Sequence, residues 1–187
     1  MTLNDRAIFE NKEMIEGFNP ENVNPISYDV TLHHILKRER HPWHVWVLEW
    51  RDTGRMIPAV DSEHRFEIID ISKHSKKKPF WMRRGDFILA ATQEIFHLPE
   101  TKKGDFVLKS SAGRTGYGHQ LAGLCDPGWH DSRLTMELFV PCRASLPVYP
   151  GLKIGQMVFE EVEAPLVSYK NKGHYNGDLV AQESKAN

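Results

Sequence analysis

Little in this sequence points to an oxidising compartment, a membrane or a polyanion. Two cysteines among 187 residues, Cys125 and Cys142, allow at most one disulfide, and free buried thiols are the expected state. The 24 Lys and Arg nearly cancel the 25 Asp and Glu, leaving a net charge of -1, so no global field gathers nucleic acid or an acidic lipid surface. No apolar run approaches the roughly 20 residues of a membrane span. The N-terminal "MTLNDRAIFENKEMIEGF" lacks the basic start and apolar core of a secretion signal. A cytoplasmic protein that engages neither membrane nor nucleic acid is therefore expected. Repeats of solenoid length and βαβ alternation are missing too, which excludes stacked-repeat and doubly wound architectures.

What remains is a chain long enough for one sizeable core and most simply read as a single domain, 1–187. Residues 3–17 read as a short helix, with Asn4 or Asp5 as cap, Ile8, Met14 and Ile15 as its apolar stripe, and Gly17 as its end. From Pro25 the pattern shortens to strand-length runs: "YDVTLHHIL", "HVWVLEW", "RFEIIDI", "DFILAATQEIFHL", "DFVLKSS", "RLTMELFV" and "LPVYPGLKIGQMVFEEV". Turn signals separate them, as in a mainly β sandwich or barrel. Lys76, Lys77 and Lys78 read as a solvated loop that guards a sheet edge. Trp43, Trp46 and Trp50 fall in strand-like runs and read as core or subunit contacts; only Trp129 sits beside chemistry-bearing residues. His33, His34, His41 and His44 crowd one segment without a paired spacing that fixes a metal. The last twenty residues lose their apolar period and read as a mobile tail.

One stretch differs in kind. In "LKSSAGRTGYGHQLAGLCDPGW", Ser110, Ser111, Gly113 and Arg114 follow the strand "DFVL" and put two hydroxyls and a guanidinium into a glycine-containing turn. Such a turn cradles phosphate through its N–H groups, with Lys109 or Arg114 supplying charge. A serine-rich turn with a surface ion pair is the competing reading. Downstream, Asp126-Pro127-Gly128 is a strong turn, and Glu137 lies in a strand where Thr135, Glu137 and Phe139 share one face while Leu134, Met136, Leu138 and Val140 share the other. A strand carboxylate aimed into a cleft is suited to proton transfer when burial raises its pKa.

This combination resembles deoxycytidine triphosphate deaminase, in the trimeric dUTPase-like superfamily. The resemblance extends to "MTLNDRAI", "FNPENVNPISYDVTL", "RRGDFILAATQEIFHLPE" and "LPVYPGLKIGQMVFEEVEAPLVSY", and is weakest over residues 37–80. It implies a distorted jelly-roll-like β-barrel with a short N-terminal helix, a homotrimer with active sites shared between chains, and residues 165–187 as a mobile lid. The implied reaction is hydrolytic deamination of dCTP to dUTP and ammonia. Glu137 would take a proton from the attacking water. Ser110, Arg114 and the Ala122 carbonyl would hold water and base, while Lys109, Ser111 and Arg114 bind phosphates. Asp126 would lie near the sugar and base, and Gln156 at the subunit interface. Thr135, Tyr169, Lys172, His174 and Asp178 complete the expected binding set. Magnesium would arrive with the triphosphate, held by no protein ligand. Zinc is not expected, because the sequence has neither a His-x-Glu pair nor Pro-Cys-x-x-Cys.

The chain departs from the family pattern in three places. It is one residue shorter between Arg114 and Asp126, one longer between Asp126 and Glu137, and has His174, Tyr175 and Asp178 where the family carries a basic residue, tyrosine and glutamine. Asp178 would repel a triphosphate unless magnesium or Lys172 lay between. The alternatives are therefore dUTP diphosphatase activity, alone or after deamination, with Asp126 as the one obvious acid for water attack at the α-phosphate, or deamination of a modified or less phosphorylated deoxycytidine nucleotide. A binding module without turnover is a further reading.

Overall fold

The computed structural model describes residues 1–120 and 122–185. Helix α1 (Asp5–Glu10) opens the chain, followed by β1 (Ile15–Glu16), β2 (Val23–Asn24), β3 (Ser27–Glu39), α2 (Pro42–Thr53), β4 (Phe66–Asp70), β5 (Phe80–Met82), β6 (Phe87–Thr92) and β7 (Ile95–His97). Then come β8 (Lys102–Leu108), α3 (Ser110–Thr115), β9 (Gly118–His119), β10 (Leu124–Cys125), β11 (His130–Ser132), β12 (Thr135–Phe139), β13 (Leu146–Val148), β14 (Lys153–Glu161) and α4 (Tyr169–Lys172). Strands dominate, as the short apolar runs led one to expect.

The main sheet runs β10-β8-β14-β3-β6-β12-β9, with β2 and β4 also paired to β3. All its pairings are antiparallel. The thirteen-residue β3 makes the sheet curl, because its first half pairs with β14 and its second half with β6 and β4. The register shift between Leu32 and Leu36 marks the change of partner. Two small sheets, β1-β7-β11 and β13-β5, cap the curl. The core fills its concavity with alternate residues of the long strands: Tyr28, Val30 and Leu32 from β3, Ile88 and Ala90 from β6, Met136 and Leu138 from β12, and Met157 and Phe159 from β14.

Several expectations need correction. The helix expected over residues 3–17 is six residues long; Asn4 caps it as read, its Oδ1 accepting from the Ala7 N–H at 3.0 Å. Met14 and Ile15 reach the core from a 3-10 turn and β1 instead of continuing a helical stripe. "HVWVLEW" is helical, not a strand. Pro42 occupies its first turn and Gly54 closes it at φ 69°, the Pro-first, Gly-last asymmetry of helices. The apolar run concealed this because the helix buries Val45 and Glu49, while Trp43, Trp46 and Trp50 stand 54%, 41% and 60% exposed. They are not core residues. "LPVYPGLKIGQMVFEEV" is two strands, β13 and β14, separated by the Pro150-Gly151 turn. The segment 37–80, where the resemblance is weakest, supplies α2, β4 and the first residue of β5.

The buried Glu49 explains why α2 sits where it does. Its carboxylate accepts from the Ser62 hydroxyl and, at 3.3 Å, from the His64 N–H, and lies 3.0 Å from His64 Nδ1. The Ser62 and His64 bonds hold its carboxyl below its ordinary pKa. His64 Nε2 also reaches Asp52 at 3.0 Å. One carboxylate thereby ties the helix to the strand entry at 62–66. Both cysteines are free, Cys125 buried and Cys142 partly so, as their scarcity implied. No described helix is long and apolar enough to cross a membrane.

Candidate active site

A cavity of about 520 Å³ opens on the outer face of the main sheet, lined by Glu137, Thr135, Asp126, Ala122, Tyr169 and Asp178 among others. Volumes of this order hold small-molecule ligands. Strand alternation puts Glu137 there. Met136 and Leu138 point into the core with essentially no exposure, while Thr135, Glu137 and Phe139 face outward, as period two requires. Opposite them on β6 stand Ala91, Leu89 and Phe87.

Glu137 is only partly open to solvent, with 22% of its side chain exposed. Burial raises its carboxyl above the ordinary carboxylate pKa, the condition for shuttling protons rather than remaining a permanent anion. Its Oε2 lies 3.4 Å from Nε2 of His119, whose side chain is 4% exposed, and neither atom has a formed hydrogen bond among the described residues. Burial lowers the His119 pKa to about 4, so a neutral imidazole faces the carboxylate. His119 is the residue sequence reasoning missed. It lies on β9, whose partner is β12, and no spacing along the chain announces that pairing.

The Asp126-Pro127-Gly128 turn forms as read, and Gly128 holds φ 86°. A Cβ there would fall 2.2 Å from Ser168 Oγ, so the turn is packed directly against the start of the C-terminal tail. That tail crosses the cavity mouth along β11 and β12. Trp129 Nε1 and Ser132 Oγ each donate to the Tyr175 carbonyl at 2.9 Å; the Arg133 N–H donates to the Asp178 carbonyl at 2.8 Å, and the Gln182 N–H to Thr135 Oγ1 at 3.0 Å. Ala181 is fully buried against Leu89 and Ala91, and Glu183 pairs with Lys37 at 2.9 Å. Residues 186–187 of the expected lid lie outside the described residues.

Asp178 corrects one expectation. Its carboxylate is met by Lys185 Nζ at 2.7 and 2.9 Å, not by Lys172. Lys185 also donates to the His174 carbonyl at 2.9 Å and lies 5.1 Å from the Tyr175 ring centroid. The tail closes on itself and carries its own counter-charge. Between Asp126 and Glu137, β11 shifts register at His130/Ser132, where Asp131 takes a positive φ of 55° and its carboxylate lies 2.9 Å from His97 Nδ1.

The phosphate-cradle residues are elsewhere. Ser110, Ser111 and Arg114 lie on α3 at the far end of β8, exposed and outside the Glu137 cavity. The segment is a six-residue helix, not the open glycine turn expected; the extended Lys109 precedes it and Gly116 ends it at φ 115°. Lys109 pairs with the buried Asp29, which Lys153 also approaches at 3.5 Å. Gln156 accepts from the Ser27 hydroxyl at 3.0 Å within β14 and β3. Lys172 and His174 do not line the cavity. The expected set therefore divides within one chain: a group in the cavity around Glu137, and a serine–arginine group carried away from it.

A family model described as dCTP deaminase-like matches residues 3–162. The chain is 30% identical over 173 residues to a protein of Acidothermus cellulolyticus named "dCTP deaminase, dUMP-forming", covering 88% of this chain and 82% of that one. A protein of the same name from Nanoarchaeum equitans is 31% identical over 182 residues, covering 92% and 90%. Among solved structures, 2'-deoxycytidine 5'-triphosphate deaminase from Agrobacterium tumefaciens superposes with a TM-score of 0.62 at 18% identity. That alignment covers 84% of this chain and 46% of the other, so this chain spans a little under half of its length; the likeness is one of fold.

Proposed function

The chain belongs to the dCTP deaminase-like family, and on that premise we propose that it deaminates dCTP and carries the product on to dUMP. The balanced reaction is dCTP plus two waters giving dUMP, diphosphate and ammonia. The observation that carries the reading is the joint presence of Glu137 and Asp126 in one cavity. Each hydrolytic step calls for a carboxylate to activate its water, one at C4 of the base and one at the α-phosphorus. The names of the relatives favour this two-step outcome over release of dUTP.

In the first step the Glu137 carboxylate takes a proton from water, and the resulting hydroxide adds to C4 of cytosine. The proton passes to N3. Collapse of the tetrahedral centre expels the amino group, which leaves as ammonia after receiving the second proton of the water through Glu137. Uracil remains. A carboxyl whose pKa is raised by burial serves both directions, because its protonated and ionised forms lie closer in energy near neutrality. The Ala122 carbonyl accepts from the amino group and Thr135 and Tyr169 bound the base and sugar. In the second step Asp126 activates water for attack at the α-phosphorus, and diphosphate leaves. The nucleotide enters as its magnesium complex, the metal held by phosphate oxygens.

The separation of Ser110, Ser111 and Arg114 from Glu137 within one chain supports a site completed by a second copy, and we assign the working form as a homotrimer. α3 of one copy then supplies the hydroxyls and guanidinium to the cavity of its neighbour, with Lys109 and Gln156 at the contact. The tail, residues 165–187, opens and closes over the nucleotide.

Incubation of the protein with dCTP and magnesium, with chromatography of the nucleotides and assay of ammonia and diphosphate, tests the reading. Ammonia, diphosphate and dUMP in equal amounts are expected. Accumulation of dUTP with no diphosphate would reduce the activity to deamination alone, and absence of ammonia would end the deaminase reading.

A further inference from the structure

The cavity has a wall that the reaction described above leaves without a role. On β6, Leu89 stands directly opposite Glu137 and Phe87 directly opposite Phe139. Phe66 at the start of β4 completes this side, its ring 6.2 Å from that of Phe87, and both rings pack against a small cluster of Leu89, Ala91 and the tail's Ala181, separate from the main core. Phe66 belongs to the segment anchored through Glu49, so that segment reaches the site.

Two polar groups beside this wall bond to partners outside the cavity lining. The Ser62 hydroxyl donates to Glu49. Arg65 donates through Nε to Glu39 at 2.8 Å, and its guanidinium carbon lies 5.0 Å from the Phe66 ring centroid. On the other side of Glu137, one step along β12, Thr135, the Asp178 segment and Gln182 gather the polar groups.

Cytosine has one apolar edge, C5–C6; its other edge presents O2, N3 and the amino group. Placing O2 or N3 against Phe66, Phe87 and Leu89 would leave buried acceptors without donors, at a cost of about 1–3 kcal/mol for each. C5 is bonded to C4, the atom Glu137 serves. With C4 held at Glu137, the apolar wall takes the C5 side and the polar side takes N3 and O2. We propose that Phe66, Phe87 and Leu89 seat the C5–C6 edge of the base, and that Phe66 sets which substituent at C5 the site accepts. The proposal rests on the deaminase reading and extends it to a substrate class, cytosine deoxynucleotides carrying groups at C5.

The test compares kcat/KM for dCTP and 5-propynyl-dCTP in the wild type and in Phe66→Ala, with Phe66→Val as a second variant should the first fail to fold. A shape contact of this kind changes discrimination by about tenfold or more. The propynyl-to-hydrogen ratio is expected to rise at least that much in the variant, whereas general loosening would lower both rates and leave the ratio unchanged. An unchanged ratio in a folded variant overturns the proposal. If the wild type releases ammonia from neither nucleotide, it is the deaminase reading that fails. The wall is then judged by magnetisation transfer from the methyl protons of bound 5-methyl-dCTP: transfer to phenylalanine ring protons that is lost in Phe66→Ala supports it, and a bound complex without it overturns it.

Discussion

Glu137 and His119 show how burial, rather than residue type, sets chemistry at the scale of single side chains. A carboxylate and an imidazole 3.4 Å apart would form an ion pair in water near pH 6; here burial lowers the His119 pKa to about 4 and raises that of Glu137. The acid limb of kcat/KM, which reports ionisation of the base in the free enzyme, is accordingly expected above pH 4.5, the ordinary glutamate value. A limb at or below 4.5 would exclude a buried glutamate as base. Glu137→Gln keeps the shape and removes the base, so nucleotide binding should persist while ammonia release falls by about 10²–10⁴-fold; normal turnover would refute the mechanism. Two partly buried histidines also link folding to pH. His33 and His119 both have folded pKa values of about 4 against 6.5 unfolded. The unfolded chain binds these protons more readily, so stability is fully present above about 6.5 and is lost as pH falls from there through 4. Unfolding midpoints across that window should drop on acidification, and less steeply in His119→Phe.

At the scale of elements, α2 is tied down through Glu49, and the C-terminal tail packs directly on the Gly128 turn. Glu49 gathers Ser62 and His64 beneath α2. Glu49→Ala leaves these donors unsatisfied and should destabilise the protein by about 1–3 kcal/mol, read as a lower denaturation midpoint; an unchanged midpoint would show that burial of Val45, not the carboxylate, holds the helix. The tail is coupled to the site through Gly128. Alanine there meets a positive φ and Ser168 Oγ, so Gly128→Ala should displace the tail and raise KM for the triphosphate more than it lowers kcat.

At the scale of the whole molecule, the division between Glu137 and the Ser110–Arg114 turn predicts complementation. Glu137→Gln and Arg114→Ala should each be inactive alone. Mixed and reassembled, they should recover part of the wild-type ammonia release, because some cavities would pair an intact glutamate with an intact arginine. No recovery on mixing subunits shown to exchange would place both residues in a site formed by a single chain.

The sequence by itself determined the strand character of the chain, the two faces of β12, the Asp126-Pro127-Gly128 turn and the free cysteines. Each is a local property, legible from period-two alternation, turn chemistry or residue counts. It misjudged α2, where a buried glutamate and exposed tryptophans invert the usual amphipathic signal, and it left open which copy of the chain brings Ser110–Arg114 to Glu137. The tertiary structure alone decided that His119 faces Glu137, that Lys185 neutralises Asp178, that Phe66 reaches the cavity, and that α3 lies away from it. These are consequences of which strands pair and at what register, and pairing across a curled antiparallel sheet joins residues whose separation along the chain carries no periodic signal.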